Sequence, residues 1–340
     1  MTTTQPEYPA AGAEEAVALP VVTSHAPVDR AFRETSRAAG SFVLLLMVLV
    51  GLFLTIRAVH AISSVGVVKF VTTEQWHPET NHFGIAAVLT GSVLIALVAL
   101  IVAVPVAMSA ALFISEVATG RLQKTMTSLV DLMAAVPSVV YGLWGLAYLQ
   151  VHVVPLARWI STYFGWIPVF RVNGVDPQNP LPNDALYTSS TFIAGLIVAL
   201  MITPIMTSMM NEAFSRAPAG EREGAYALGA TRWGMIRRVV LPFGKGGIIG
   251  GVMLGMGRAL GETIAIYMII SPVFSISFHV LQNGSNSVAA LIALQYGEAN
   301  PFAMSALMAA GLALFVLTMI INFTASAIIA RSRSGAESEA

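Results

Sequence analysis

The sequence predicts an all-α integral membrane protein with six transmembrane helices. Of its 340 residues, 56% are hydrophobic and only 11% are charged, whereas an ordinary soluble domain has about 25% charged residues. A membrane-spanning helix needs about 20 mainly apolar residues, and six segments satisfy that requirement. These segments are residues 40–62, 85–115, 124–153, 188–211, 246–271 and 302–330.

The composition excludes several classes of protein. The formal net charge is zero, so no overall positive field would attract nucleic acid. The chain has no Cys and only six His, and no two His are at the spacing of metal ligands, so we expect neither a metal nor another bound cofactor. No nucleophile and base form the pattern that an intramembrane enzyme would need.

The chain is expected to begin and end outside the membrane. Residues 1–38 are rich in Ala, Pro, Glu and Thr without apolar periodicity, which is typical of a disordered tail. They lack the apolar core of a cleavable signal peptide, so the first span is expected to stay as an anchor. We therefore divide the chain into a tail at 1–38, a first helix with an outer loop at 39–84, the main transmembrane domain at 85–331 and a second tail at 332–340.

The distribution of Lys and Arg predicts the orientation in the inner or plasma membrane of a cell. If the N-terminus is inside, thirteen of the 18 basic residues lie on the inner side and three on the outer side, which satisfies the positive-inside rule. Both termini are therefore predicted to be cytoplasmic. The inner residues are Arg30, Arg33, Arg37, Arg121, Lys124, Arg216, Arg222, Arg232, Arg237, Arg238, Lys245, Arg331 and Arg333, the outer ones are Lys69, Arg158 and Arg171, and Arg57 and Arg258 lie within spans.

Two carboxylates lie near the inner ends of predicted spans. Glu116 follows Ser115 at the inner end of the second span and is expected at the membrane interface. Asp131 is about two turns into the third span, where the positive end of the helix dipole favours a carboxylate. A capping or aqueous position is favoured there over a contact with Arg258.

The inner loop between the fourth and fifth spans predicts a helix–turn–helix. Glu221–Leu228 suits a short helix that Gly229 can end in a left-handed conformation. Thr231 can cap a second helix, and Pro242 is predicted to end it at Leu241 because proline disfavours helix in its predecessor. This basic, amphipathic loop could dock on another protein or lie against anionic lipid headgroups.

The same loop resembles the EAA loop of ABC importer permeases. The spacing follows that family's pattern: Glu223-Gly224-Ala225 is followed by three residues, Gly229, nine further residues and Val239-Val240-Leu241-Pro242. The sequence departs from the pattern in having Gly224 in place of the second Ala and Val239 in place of Ile. The resemblance implies that residues 212–245 couple the chain to an ATP-hydrolysing partner. The coupling residues would be Glu221, Glu223, Ala225, Gly229, Leu241 and Pro242. The sequence has no Walker A motif of its own, so ATP is expected to bind to partner subunits.

The fifth predicted span carries an arginine and a glutamate within "GMGRALGETIAIYMIISP". Arg258 lies twelve residues after Gly246, the first residue of this predicted span. Twelve residues of helix rise about 18 Å, so Arg258 is expected near mid-membrane. Gly247, Gly251 and Gly255 recur every four residues, and Arg258 and Glu262 continue that stripe. Because small residues let helices approach closely, the pair is expected to face protein or a water-filled path. It could form an anion pathway or a local salt bridge that only fixes packing.

Three segments together resemble the C-type phosphate-specific ABC permeases, the PstC family, and the resemblance runs from about residue 85 to 330. The segments are "GRALGETIA", "AVPSVVYGLWGL" and "ALMITPIMTSMMNEAF". The resemblance implies a type I importer permease (MetI-like) fold and import of inorganic phosphate. It implies as partners a homologous second permease of the A type, two ATP-binding subunits and an extracytoplasmic phosphate-binding protein. Arg258 and Glu262 match charged residues of the family's motif that are implicated in transport.

Two alternatives remain from the sequence. One is an ABC permease for another oxyanion, such as molybdate or sulfate, because one arginine cannot separate these ions from phosphate. The other is an ion-coupled secondary carrier, which would show internal duplication between its halves. No clear repeat is visible in the sequence.

Overall fold

The computed structural model describes residues 27–174 and 183–334, which are mostly helical. The α-helices are α1 (Pro27–Val65), α2 (Val67–Thr72), α3 (Ala86–Leu112), α4 (Gly120–Ala134), α5 (Ser138–Trp144), α6 (Gln150–Phe164), α7 (Thr191–Ser215), α8 (Ala219–Ala227), α9 (Arg232–Met235), α10 (Leu241–Gly261), α11 (Ile264–Ile269), α12 (Val288–Gln295) and α13 (Pro301–Ser334). Single π-helical turns lie at Phe113–Val117, Gly145–Leu149 and Ile236–Val240, and 3₁₀ turns lie at Pro78–Thr80, Pro168–Phe170 and Asp184–Leu186. One antiparallel hairpin joins β1 (Trp76–His77) to β2 (His82–Phe83).

The chain divides into two compact units, one ending at Val50 and one beginning at Gly51. The described part of the first unit is the beginning of α1, and its side chains from Asp29 to Val50 are exposed. Residues 27–38 were predicted to belong to a disordered tail, but they are helical. Adding residues to an existing apolar helix costs little, and Asp29 in the first turn suits the helix dipole. The rest of the predicted tail, residues 1–26, lies outside the described residues.

Six helices in the described part of the chain are long and apolar enough to cross a membrane, as the sequence predicts. They run over Asp29–Val65, Ala86–Val117, Ser138–Phe164, Thr191–Ser215, Arg232–Gly261 and Pro301–Thr324. The last helix continues to Ser334, which includes the first residues of the tail predicted at 332–340. The remainder of that tail, 335–340, lies outside the described residues.

The third span was predicted at 124–153, and this placement is wrong. The first half of that segment is the separate helix α4, which ends before Pro137. Pro137 has an extended backbone and precedes the first residue of α5. Because a proline disfavours helix in the residue before it, the helical conformation is interrupted at Val136. The span then runs from Ser138 to Phe164 through one π-helical turn.

The fifth span was predicted at 246–271 and also differs in the structure. The helix begins earlier, at Arg232, and continues through a π-helical turn into α10. Pro242 therefore does not end a helix at Leu241. The Leu241 N–H donates to the carbonyl of Ile236, and this wider turn accommodates a proline that lacks an N–H.

The main core of the second unit joins α3, α7 and α10. The α3 helix presents a stripe of fully buried alanines at four-residue spacing, and these small side chains let α7 approach closely. The stripe consists of Ala99, Ala103, Ala107 and Ala111. The α7 helix fills the core with larger side chains such as Met206, Met210 and Phe214. This packing makes α7 the support on which α10 lies.

A second core lies beside the hairpin. The rings of Phe70, Trp76 and Phe302 each pack edge-on against Phe83. The indole N–H of Trp76 donates to the side-chain oxygen of Gln295, in α12. These contacts hold the loop between the first and second spans against α12 and α13.

Candidate transport and coupling sites

The glycine stripe of α10 packs against α7, as the spacing predicts. A Cβ atom added at Gly247 would collide with the Cβ of Ala213. One added at Gly251 would lie 3.4 Å from the Met206 carbonyl oxygen, and one at Gly255 would lie 2.6 Å from the Met206 sulfur. The stripe is therefore filled by α7 of the same chain.

Arg258 is turned away from that contact and is exposed in the isolated chain. It lines a groove of about 510 Å³ between α7, α10 and α13. The other lining residues are Ile205, Met209, Gly250, Met253, Leu254, Gly257 and Asn322. Arg258 is thus the charged residue in a wall that is otherwise almost entirely apolar.

None of the ion pairs found in residues 27–174 and 183–334 involves Arg258. A guanidinium with its donors unused by carboxylates can bind an oxyanion.

Glu262 does not continue the glycine stripe, which corrects the sequence-based placement. The α10 helix ends at Gly261, and Glu262 has an extended backbone with ψ of 126°. The residue is only 8% exposed, and its Oε1 accepts a hydrogen bond of 3.1 Å from the N–H of Ala265. The described residues contain no Arg258–Glu262 ion pair. The two residues therefore do not form the local salt bridge that was the alternative to a pathway.

The turn of the inner loop is built as predicted. The α8 helix ends at Ala227, and Gly229 has a left-handed backbone with φ of 81°. The Gly229 N–H donates to Tyr226 and the Ala230 N–H donates to Ala225, which is the Schellman arrangement at a helix end. Thr231 Oγ1 then accepts from the Gly234 N–H at 3.1 Å and caps α9.

The predicted coupling residues divide between two faces. Glu221 and Glu223 are exposed on α8. Ala225 and Leu241 are instead partly buried against the main core, so they position the loop and do not present a docking contact. Pro242 is exposed at the start of α10.

An apolar patch that the sequence analysis missed lies at the turn. Leu228 is 91% exposed and Trp233 is 62% exposed, and Tyr226 is exposed beside them. Glu221 and Glu223 are exposed on the same helix as Tyr226. Exposed apolar groups among charged residues mark interaction surfaces. Bulky apolar side chains within a polar loop were the available signal.

Of the two inner carboxylates, Glu116 was predicted at the membrane interface but its side chain is buried, whereas Asp131 is exposed and forms no ion pair with Arg258 among the described residues. The side chain of Glu116 is buried, and its Oε2 lies 3.1 Å from Nη1 of Arg222 in α8. Asp131 is on α4 and accepts from the Ser208 hydroxyl at 3.3 Å. In the described ranges, no group of three His, Asp or Glu side chains is arranged to hold a metal ion.

The six apolar helices of the described residues are typical of a multi-pass membrane protein, and the relatives of the chain identify it as a permease. Residues 103–334 match the family described as the binding-protein-dependent transport system inner membrane component. A solved chain of a bacterial ABC transporter involved in the import of the acidic polysaccharide alginate shares the fold, with a TM-score of 0.55 and 17% identity over 89% of this chain and 99% of that one.

Curated relatives match nearly the whole chain. It is 36% identical to the phosphate transport system permease protein PstC 2 of Mycobacterium tuberculosis, over 88% of this chain and 91% of that protein. It is also 36% identical to the phosphate transport system permease protein PstC of Mesorhizobium japonicum, over 94% of this chain and 98% of that protein. The chain therefore belongs to the binding-protein-dependent transport permeases and, among them, to the PstC family.

Proposed function

We infer that this chain is the membrane-spanning permease subunit of an ATP-driven importer that moves inorganic phosphate into the cell. The similarity to PstC proteins along almost their full length carries this conclusion. Neither a permease for molybdate or sulfate nor an ion-coupled carrier is favoured by those relatives. As a permease, the chain is not itself an enzyme.

Arg258 is the residue that contacts phosphate during its passage. A guanidinium has planar donors that match an oxyanion, and the apolar groove around Arg258 strengthens their electrostatic attraction. Glu262 lies just beyond the end of the same helix and limits the positive potential, so that the ion can also leave. These two residues form the proposed substrate pathway, and the permease needs no cofactor of its own.

The inner loop docks on one of the ATP-binding subunits. Leu228 and Trp233 supply the apolar contact, and the exposed Glu221 and Glu223 of α8 can pair with basic groups of a protein partner, whereas an anionic lipid surface would not attract them. This acidic component favours a protein partner over lipid headgroups. Lipid instead surrounds the six spans.

The working complex contains this chain, a homologous second permease of the A type, two ATP-binding subunits and an extracytoplasmic phosphate-binding protein. ATP binds to the partner subunits, and their closure moves the inner loop, which switches the pathway from one side of the membrane to the other. The excess of Lys and Arg in the inner segments supports cytoplasmic placement of both termini.

The experiment is phosphate uptake by the complete complex in liposomes, with Arg258→Ala compared with Arg57→Ala. Both arginines lie in spanning helices and are exposed in the isolated chain, but only Arg258 lines the groove. Loss of a charged hydrogen-bonding group is expected to lower uptake by about 10- to 100-fold for Arg258→Ala. Arg57→Ala should transport normally, and both complexes should assemble.

Normal uptake by Arg258→Ala would remove this residue from the pathway. Competition by sulfate and molybdate, with the binding protein present, distinguishes phosphate from the other oxyanions. Uptake by this chain alone, without ATP and driven by an ion gradient, would show the secondary carrier instead.

A further inference from the structure

A buried ion pair connects the docking helix α8 to the inner ends of the second and fourth spans. We propose that Glu116 and Arg222 are positioning residues that transmit the movement of α8 into these spans, so that ATP hydrolysis is coupled to transport. The proposal rests on the proposed function, because it assigns the residues through which the docked loop acts.

One guanidinium joins three segments of the chain. Arg222 lies on α8, its Nη1 lies 3.1 Å from Oε2 of Glu116 in the π-helical turn after α3, and its Nη2 donates to the Phe214 carbonyl of α7 at 2.6 Å. The planar fork of arginine holds both acceptors in fixed directions. A displacement of α8 therefore pulls on both spans.

Glu116 depends on Arg222 for its charge balance. Its side chain is only 3% exposed, and that of Arg222 is 21% exposed. Glu116 also ends the second span, where the negative end of the helix dipole disfavours a carboxylate. Its other oxygen, Oε1, has no hydrogen-bond partner among the described residues. Separating the pair would leave a buried charge uncompensated, so α8 and the end of the second span move together.

Arg222 is fastened to the spans while other residues of α8 stay exposed. Arg222 and Ala225 are three residues apart, which places them on one helix face, and both are partly buried. Glu221 and Glu223, on either side of Arg222 in the sequence, are exposed, and at about 100° per residue they point away from Arg222. The helix can thus meet a docked partner with its exposed residues while Arg222 holds it to the spans.

The connection continues toward the pathway. A Cβ atom added at Gly244 would overlap the ring of Phe214, so α10 packs directly on the residue whose carbonyl Arg222 holds. Arg258 is carried by the same α10 helix. Movement of α8 can therefore reach the groove through Phe214 and α10.

The test compares the variants Glu116→Gln and Arg222→Lys with a control variant, Glu212→Gln, which removes one charge of an exposed ion pair nearby. Glu212 pairs with Arg216 at the inner end of α7, and both are more than 60% exposed. In the complete reconstituted complex, phosphate uptake and ATP hydrolysis are measured together. We expect phosphate moved per ATP to fall about tenfold for Glu116→Gln, the order of a lost coupling interaction. It should fall less for Arg222→Lys, which keeps the charge but not the planar fork.

The ATP-binding subunits should still copurify with both variants, and Glu212→Gln should resemble the unmodified chain. An unchanged ratio in Glu116→Gln would overturn the proposal. Loss of the ATP-binding subunits from both variants would overturn it as well, because the pair would then serve assembly alone.

A second measurement does not depend on which ion is carried. Because the chain has no Cys, spin labels can be attached at Gly220→Cys on α8 and Val117→Cys at the end of the second span, both exposed positions. The distance between the labels should stay constant when ATP is added to the complex, and it should vary in the Glu116→Gln background. A distance that changes with ATP in the unmodified pair would show that α8 moves independently of this span. If this distance behaves as expected while the complex carries no phosphate, the proposed substrate alone is wrong.

Discussion

The Glu262 carboxylate serves the backbone as well as the proposed pathway. Its Oε1 accepts from the Ala265 N–H at 3.1 Å, which supports the start of α11 after the chain leaves α10. The sequence placed Glu262 at the correct spacing from Arg258 for one helix face. It could not show the break at this residue, because no proline lies there and the extended conformation depends on packing by α11 against the core.

Two substitutions separate these roles of Glu262. Glu262→Gln keeps a side-chain oxygen for the Ala265 N–H, so its thermal stability in detergent should match that of the unmodified chain. Glu262→Ala removes the acceptor and should lower the free energy of unfolding by about 1 kcal/mol, as for other lost helix-end acceptors. Both should transport less phosphate, because both remove the negative charge. Full uptake by Glu262→Gln would show that only the hydrogen bond matters.

At the scale of helices, local signals predicted the inner loop well. The end of α8 at Gly229 and the cap at Thr231 each depend on residues within a few positions along the chain, so the sequence contains them. Pro242 was misleading because its consequence depends on the preceding turn. A π-helical turn at Ile236–Val240 accommodates a proline that has no N–H to donate, so the helix continues. The pairing of Glu116 with Arg222 joins residues 106 positions apart, and no local pattern indicates it.

The packing of α10 on α7 can be tested with adjacent glycines. Gly247→Ala places a Cβ against the Cβ of Ala213, which has no rotamer by which to move away. Overpacking of this kind should lower the free energy of unfolding by about 1–3 kcal/mol. At Gly246 a Cβ meets nothing within 4 Å, so Gly246→Ala should be neutral or stabilise α10 by up to about 1 kcal/mol. Thermal unfolding of the purified chain in detergent measures both, and equal stabilities would show that the two helices are not in this contact.

At the scale of the whole molecule, apolar length predicted the number of spans, and the structure has six helices that qualify in its described residues. Length alone could not place the third span, since α4 is amphipathic and the apolar run extends across Pro137. The orientation is predicted from a different property, the distribution of Lys and Arg, which acts during membrane insertion and does not determine the fold. It therefore requires a measurement in the membrane.

The absence of Cys from the sequence makes that measurement direct. A single cysteine can be introduced at Glu79, in the loop after the first span, or at Gly220, on α8. Both positions are exposed. In sealed, right-side-out vesicles a membrane-impermeant maleimide should label Glu79→Cys at once and Gly220→Cys only after permeabilisation. Ala103→Cys, at a position that is fully buried, should remain unlabelled in both conditions and controls for labelling of thiols that are not exposed. Because the two loops are separated by three spans, their accessibility must be opposite, and the reverse pattern would place the coupling loop on the side of the membrane where no ATP is available to drive it.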